Sequence, residues 1–193
     1  MNTLFFDTET TGKYDWKLPP DHPSQPHLVQ LAAVLLDNEG KERAGLNLLV
    51  KPEGFSISQE VTAIHGISED IANSCGVSIK NVAYLFNALC YQADLLVAHN
   101  IDFDRSIMLS VFIRNQIGHR LNKMNRYCTM KSATPIVKAV RPGVTGDHAF
   151  KWPSLTECMA FFFQEDFSSQ AHNALADVVA CSRVYQALKS HGV

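Results

Sequence analysis

Charge is scarce in this 193-residue chain: Asp, Glu, Lys and Arg together make up 19% of it, below the roughly 25% of an average soluble protein. With 46% hydrophobic residues, that composition excludes a disordered chain and predicts a sizeable buried core. Long apolar runs are missing as well. Runs such as Leu31 to Leu36 fall far short of the roughly 20 residues that cross a bilayer, so no membrane association is expected. A secretory leader is not expected either, because Asp7 and Glu9 interrupt the apolar start before a leader's core can form. There is no surplus of positive charge: 17 basic and 19 acidic side chains give a formal net charge of −2, with a pI of about 6.4. A long electrostatic footprint on nucleic acid shows as clustered Lys and Arg, so none is expected. A grip on a few nucleotides at a chain end remains compatible. The five cysteines (Cys75, Cys90, Cys128, Cys158, Cys181) are scattered and never form a Cys-x-x-Cys pair. That pattern excludes a disulfide framework and a zinc site, and predicts reduced core thiols in a cytoplasmic protein.

One domain over residues 1–193 is the expectation for this length. Thr3 to Glu9 reads as a first strand, and Leu28 to Leu36 and Leu46 to Val50 as two more, turning at Asn38-Glu39-Gly40-Lys41 in an antiparallel meander. Between the first two lies Gly12 to His27, a loop with four prolines. It is long for a compact domain, which marks it as functional or mobile. Val61 to Gly66 reads as a short helix ended by glycine, and Ser78 as the N-cap of a helix carrying Val82, Leu85, Phe86 and Leu89. A buried strand, Asp94 to Ala98, leads into a helix from about Asp102 to Gln116, with a fifth strand at Arg126 to Thr129. Ser154 to Glu157 has the spacing of a capping box. The helix it opens includes Cys158, Phe161 and Phe162, and Phe161 and Met130 are expected in the core. A last helix spans Ala174 to Lys189 and leaves no tail for docking a partner. Strands first, then alternating helices and strands, predict an α/β fold with a mixed sheet.

Three places break the pattern. Asp7 and Glu9 sit two apart in a strand otherwise built for a core, so both carboxylates leave the same face. For an isolated pair the ordinary reading is a strand end facing water. At Leu95-Leu-Val-Ala-His99-Asn100-Ile-Asp102-Phe-Asp104 a buried strand runs into a histidine, an asparagine and two aspartates. Ligands in open α/β sheets bind beyond the carboxyl ends of strands. Asp102 and Asp104 are about 200° apart on a helix, so at most one points into a common site, and the other complements the helix dipole. Asp177 falls on the apolar stripe of Ala180, Cys181, Val184 and Leu188, where a lone carboxylate is expensive. His172 precedes it by five residues and is expected on the loop over the helix start.

Asp7, Glu9, Asp104 and Asp177 together cannot stay ionised on an apolar sheet without cations. Two divalent ions with oxygen ligands, Mg²⁺ or Mn²⁺, would balance them and would invert the sign of the site toward a phosphodiester. Such paired ions stabilise the attacking and leaving oxygens of an in-line displacement, and His172 supplies a general base.

Asp7-Thr8-Glu9, His99-Asn-Ile-Asp-Phe-Asp104 and His172-Asn-Ala-Leu-Ala-Asp177 resemble, in order and spacing, the three motifs of the DEDDh 3′–5′ exonuclease family. The resemblance spans residue 3 to about 189 and is nearest to stand-alone bacterial or phage-type members, through Cys128-Thr-Met-Lys131 and Lys151-Trp-Pro153. It implies a ribonuclease H-like sheet of about five strands flanked by helices. The implied activity is release of nucleoside 5′-monophosphates from the 3′ ends of single-stranded DNA, or of RNA in the nearest alternative. By this resemblance Asp7 bridges the two metals, Glu9 and Asp177 complete one site, Asp104 holds the second, and His172 deprotonates water. Thr8, Thr10, Gly12, Ile64, His65, His99 and Asn100 are the expected substrate contacts; Ile64-His-Gly-Ile67 resembles the family's segment beside the terminal nucleotide. Tyr14 and Trp16 can stack on a base or simply pack, and Arg141 to His148 suits a substrate-facing loop. A catalytically silent binding module is the contrasting class; such copies lose a metal ligand, and here all five positions are present. Whether the chain pairs with itself or with a polymerase, and whether it serves proofreading, DNA repair or nucleotide recycling, stay open at this level.

Overall fold

A strand that is apolar on both faces belongs between two covered layers, and Thr3–Thr10 (β1) lies there. In the computed structural model, which describes residues 1–144 and 150–193, β1 is central in a five-stranded mixed sheet of order β3-β2-β1-β4-β5. Leu28–Leu36 (β2) and Glu42–Leu49 (β3) form the expected antiparallel meander on one side. Leu95–Ala98 (β4) and Asn125–Cys128 (β5) add parallel to β1 on the other. This is the ribonuclease H-like arrangement.

Alternate residues of β1 feed two cores. Leu4 and Phe6 pack toward Ile79–Gln92 (α3) and Ile101–Arg114 (α4), among Phe86, Met108 and Phe112. Phe5 points the other way, with Val97, onto Ala174, Val178 and Cys181 of Ala174–Ser190 (α7). Thr129–Val137 (α5) and Leu155–Phe163 (α6) close over the far side of α7 through Ala133, Cys158 and Val184. Two short helices, Gln59–His65 (α1) and Glu69–Cys75 (α2), come after β3. No helix among the described residues is long and apolar enough to cross a membrane.

Several local expectations are corrected. β3 begins at Glu42, not Leu46, because its first half is a polar, exposed edge that shows little apolar pattern. The unforeseen α2 buries only Ala72, so it leaves almost no periodic signal. The unforeseen α5 carries Pro135 inside it, a residue that lacks an N–H and reads as a helix breaker. On α3 the buried face is Val82, Ala83, Phe86 and Cys90, while Leu85 is exposed. Phe161 is exposed, whereas Met130 is buried. All five cysteines are free, yet Cys75 is exposed and Cys128 half-buried, so only Cys90, Cys158 and Cys181 are core thiols. The capping box at Ser154 and Glu157 is formed in both directions.

The long Gly12–His27 loop is built around a buried side chain. Gln25 Nε2 donates to the carbonyls of Asp15 (2.7 Å) and Leu18 (3.2 Å), and its Oε1 accepts from Asp15 N–H at 3.0 Å. Arg114 at the end of α4 ties the loop down by donating to the carbonyls of His22 (2.7 Å) and Gln25 (2.9 Å). Of the expected substrate-facing stretch 141–148, residues 145–148 lie outside the described residues.

Candidate active site

β1 outruns β4. Its parallel pairing ends at Phe5 and Val97, so beyond that point the backbone on the β4 side has no neighbouring strand. Asp104, in the first turn of α4, fills the gap: its Oδ1 accepts from the Thr8 N–H at 3.0 Å and from the Thr8 hydroxyl at 2.8 Å. On the β2 side the register shifts between Glu9 and Thr10, a bulge of the kind that re-aims side chains at strand ends. Asp7 and Glu9 leave the face of β1 covered by α7, where Asp177 occupies the first turn. Three elements thus bring four carboxylates together.

The electrostatics arise from that crowding. Burial, then Asp104, Asp177 and Glu9 beside it, push the Asp7 carboxyl well above the ordinary carboxylate range. Burial and the charges of Asp177 and Asp104 raise Glu9 to about 8. Burial raises Asp104 to about 7 against the lowering effect of its Thr8 hydrogen bonds. Asp177 is raised to about 6, burial again leading, with the His172 N–H pulling the other way. Protons or cations must hold such a cluster together.

His172 stands just outside α7 in the left-handed conformation, at φ 66°. Its N–H donates to Asp177 Oδ2 at 3.1 Å, and Asn173 caps the helix by accepting from Ala176 N–H. The imidazole is exposed. Ligand atoms of Glu9, His172 and Asp177 lie within 4.8 Å of one another. Asp177 Oδ1 is buried without a hydrogen-bond partner among the described residues. An orphaned buried oxygen, an oxygen-rich donor set and four carboxylates held away from their ordinary ionisation all fit hard divalent cations.

A cleft of about 740 Å³ opens beside this cluster, lined by Ile64, His65, Gly66, His172, Asn173 and Arg183 among others. His65 Nδ1 accepts from Ile67 N–H at 3.1 Å, and its Nε2 is buried without a partner among the described residues. Burial and the nearby His172 lower its pKa. Of the other expected contacts, Asn100 lines a second cleft with Trp16 and Lys131, and Gly12 faces open space.

Three of the expected contacts are engaged within the protein. Thr8 is buried and uses its N–H and hydroxyl on Asp104, which positions that carboxylate. Thr10 is buried and donates its hydroxyl to the Gly12 carbonyl at 2.7 Å. His99 bridges α5 and the segment before α6. Burial lowers it to about 4, so the neutral ring donates from Nε2 to the Pro153 carbonyl and accepts at Nδ1 from Thr129, both at 3.0 Å. Asp102 points away from the carboxylates and pairs with Lys131 and Arg126, as its opposite-face position required.

A protein-family model described as "Exonuclease" matches residues 4–185. No curated protein sequence matches. Solved structures with the same fold include Escherichia coli exonuclease I in complex with a dT13 oligonucleotide (TM-score 0.76, 20% identity, 98% of this chain and 41% of that one). The zinc-bound form of an E. coli exonuclease I–single-stranded DNA complex is similar too (TM-score 0.74, 19% identity, 98% and 40%). So is an exonuclease I from Methylocaldum szegediense (TM-score 0.73, 20% identity, 98% and 40%). The chain therefore spans about 40% of the length of these relatives.

Proposed function

The chain belongs to the exonuclease family, and on that premise we propose that it removes nucleotides one at a time from the 3′ ends of single-stranded DNA. The convergence of Asp7, Glu9, Asp104 and Asp177 from three elements, with His172 at its rim, carries this reading. In it, water attacks the terminal phosphorus, the bond to the 3′ oxygen breaks, and a nucleoside 5′-monophosphate leaves. Two divalent cations, Mg²⁺ or Mn²⁺, held by the four carboxylates would supply the positive charge that draws in and polarises the phosphodiester.

The chain's own residues do the rest. His172, exposed and within reach of Glu9 and Asp177, takes the proton of the attacking water. Asp177 accepts from the His172 N–H and so fixes the loop that presents the imidazole. Thr8 holds Asp104 in place. Ile64 and His65, on the wall of the same cleft as His172, form the seat of the terminal nucleoside. Single-stranded DNA as the substrate is supported by the oligonucleotide complexes of the E. coli relative. Five free thiols suit a reducing cytoplasm.

The deciding assay compares 5′-labelled and 3′-labelled oligonucleotides, DNA and RNA, with Mg²⁺ and with EDTA. Release of label as mononucleotide from the 3′ end, with a ladder from the 5′-labelled strand and silence in EDTA, is the expected result. Internal cleavage, or hydrolysis that ignores the chelator, would overturn it.

A further inference from the structure

Two tryptophans stand in the open on this protein, and they share one cleft. Trp16 and Trp152 are each 62% exposed, and together with Asn100, Arg105 and Lys131 they line a space of about 410 Å³. A large aromatic left in water is unremarkable alone. Two of them facing the same space, with cations between, is an arrangement with a use.

The cleft opens at the same edge of the sheet as the carboxylates, on the side of α4 that carries Asp102. β1, β4 and β5 are parallel, and the cleft is assembled from the segments at their carboxyl ends: Trp16 after β1, Asn100 and Arg105 after β4, Lys131 in the first turn of α5 after β5. Asp7, Glu9 and Asp104 come from the same edge. The aromatic groups are supported from behind. Trp16 leans on buried Tyr14, ring centroids 4.8 Å apart, on the loop that Gln25 and Arg114 make rigid. The Lys131 ammonium lies 6.0 Å from the Trp152 ring centroid.

Cations outnumber anions along this line. Asp102 is shared between Lys131 and Arg126, and the buried Arg105 Nε makes no hydrogen bond among the described residues. A neighbouring cleft, also about 410 Å³, shares Trp152 and adds Arg141 and Phe150, with Lys138 5.9 Å from the Phe150 ring. Bases stack on such rings whatever their identity, while interleaved Lys and Arg follow the phosphates.

We propose that Trp16, Trp152, Arg105 and Lys131 form a track for the nucleotides upstream of the scissile bond of single-stranded DNA, with bases stacked on the two indoles. The proposal rests on the exonuclease reading, because that reading supplies the strand. Within a chain of net charge −2, the track is where a few nucleotides gain their hold.

The test measures binding in EDTA of fluorescein-labelled dT2, dT4, dT6 and dT8 to the wild type, Trp16→Ala, Trp152→Ala and the double variant. Wild-type affinity is expected to climb with length, and each alanine to remove at least about fivefold of that gain, the lower end of base–aromatic stacking. Lys131→Gln, which leaves both indoles in place, is expected to lower the slope of log Kd against log salt by about 0.7. A double variant whose length gain equals that of the wild type, or an unchanged salt slope in Lys131→Gln, overturns the track. Hydrolysis of the same oligonucleotides by the wild type in Mg²⁺ is scored separately. Length-dependent binding without 3′-end hydrolysis would overturn the exonuclease reading and leave the track standing.

Discussion

Thr8 holds Asp104 across a gap in the sheet: backbone N–H and side-chain hydroxyl, at 3.0 and 2.8 Å, both end on the same carboxylate oxygen. The bond pair exists because β4 stops short of β1 and leaves a backbone donor without a strand to meet. It also opposes the rise in the Asp104 pKa that burial causes. Thr8→Val keeps the shape and the N–H but removes the hydroxyl. Supporting groups of this kind are worth about 10–100-fold in metal affinity or activity. Titration of hydrolysis against Mg²⁺ is expected to show a higher metal requirement in Thr8→Val, with serine restoring most of the loss.

Without metal, the carboxylate cluster should make stability fall as pH rises. Glu9, Asp104 and Asp177 have folded pKa values raised to about 8, 7 and 6, above their unfolded values near 4. A raised carboxylate binds its proton better in the folded chain, so its stabilising effect is complete below the unfolded value and disappears as pH climbs through the folded one. Thermal denaturation in EDTA is therefore expected to give a lower Tm at pH 8.5 than at pH 5. Mg²⁺ should restore the high-pH loss. A flat Tm across this window would remove the charge crowding from the account.

Asp7→Asn isolates one member of the cluster. The neutral amide cannot serve as a bridging ligand, and hydrolysis should be lost. In EDTA at pH 8 the same substitution relieves repulsion on Glu9, Asp104 and Asp177, and Tm should rise by about 2–4 °C for each kcal/mol relieved in a domain of this size. Activity and Tm move in opposite directions, which an unfolded variant cannot imitate.

His172→Ala tests the base. An unprotonated imidazole is required, so wild-type single-turnover rates should fall toward acid pH. Positioned proton transfer contributes about 10²–10⁴-fold, and the alanine variant should lose that much while also losing the acid limb. A small rate loss with the limb intact would take His172 out of this role.

The two aspartates of α4 separate cleanly. Asp104 is buried against Thr8, while Asp102 faces Lys131 and Arg126. Asp104→Asn is expected to slow hydrolysis by about 10²-fold or more, a loss of several kcal/mol of transition-state stabilisation. Asp102→Asn releases two cations toward the strand and should tighten dT8 binding, measurable by the same anisotropy titration.

Much of the site was legible in the sequence. Asp7 and Glu9 share a face because a strand alternates sides, and Asp177 was out of place on an apolar helical stripe, so burial without charge neutralisation was already implied. The angular step of a helix showed that Asp102 and Asp104 could not both face the site, and the resemblance of the motif chose Asp104. Those are local periodicities, and they survive folding unchanged. What tertiary structure alone decided are matters of where elements end and what meets there. Thr8 became the support of Asp104 because β4 is short, His99 was drawn inside by Thr129 and Pro153, and α5 formed in spite of Pro135. Trp16 and Trp152 lie 136 positions apart in the chain (152 − 16), and no spacing rule links them. They line one cleft because β1 ends at this edge of the sheet and His99, just after β4, holds the Pro153 carbonyl next to Trp152.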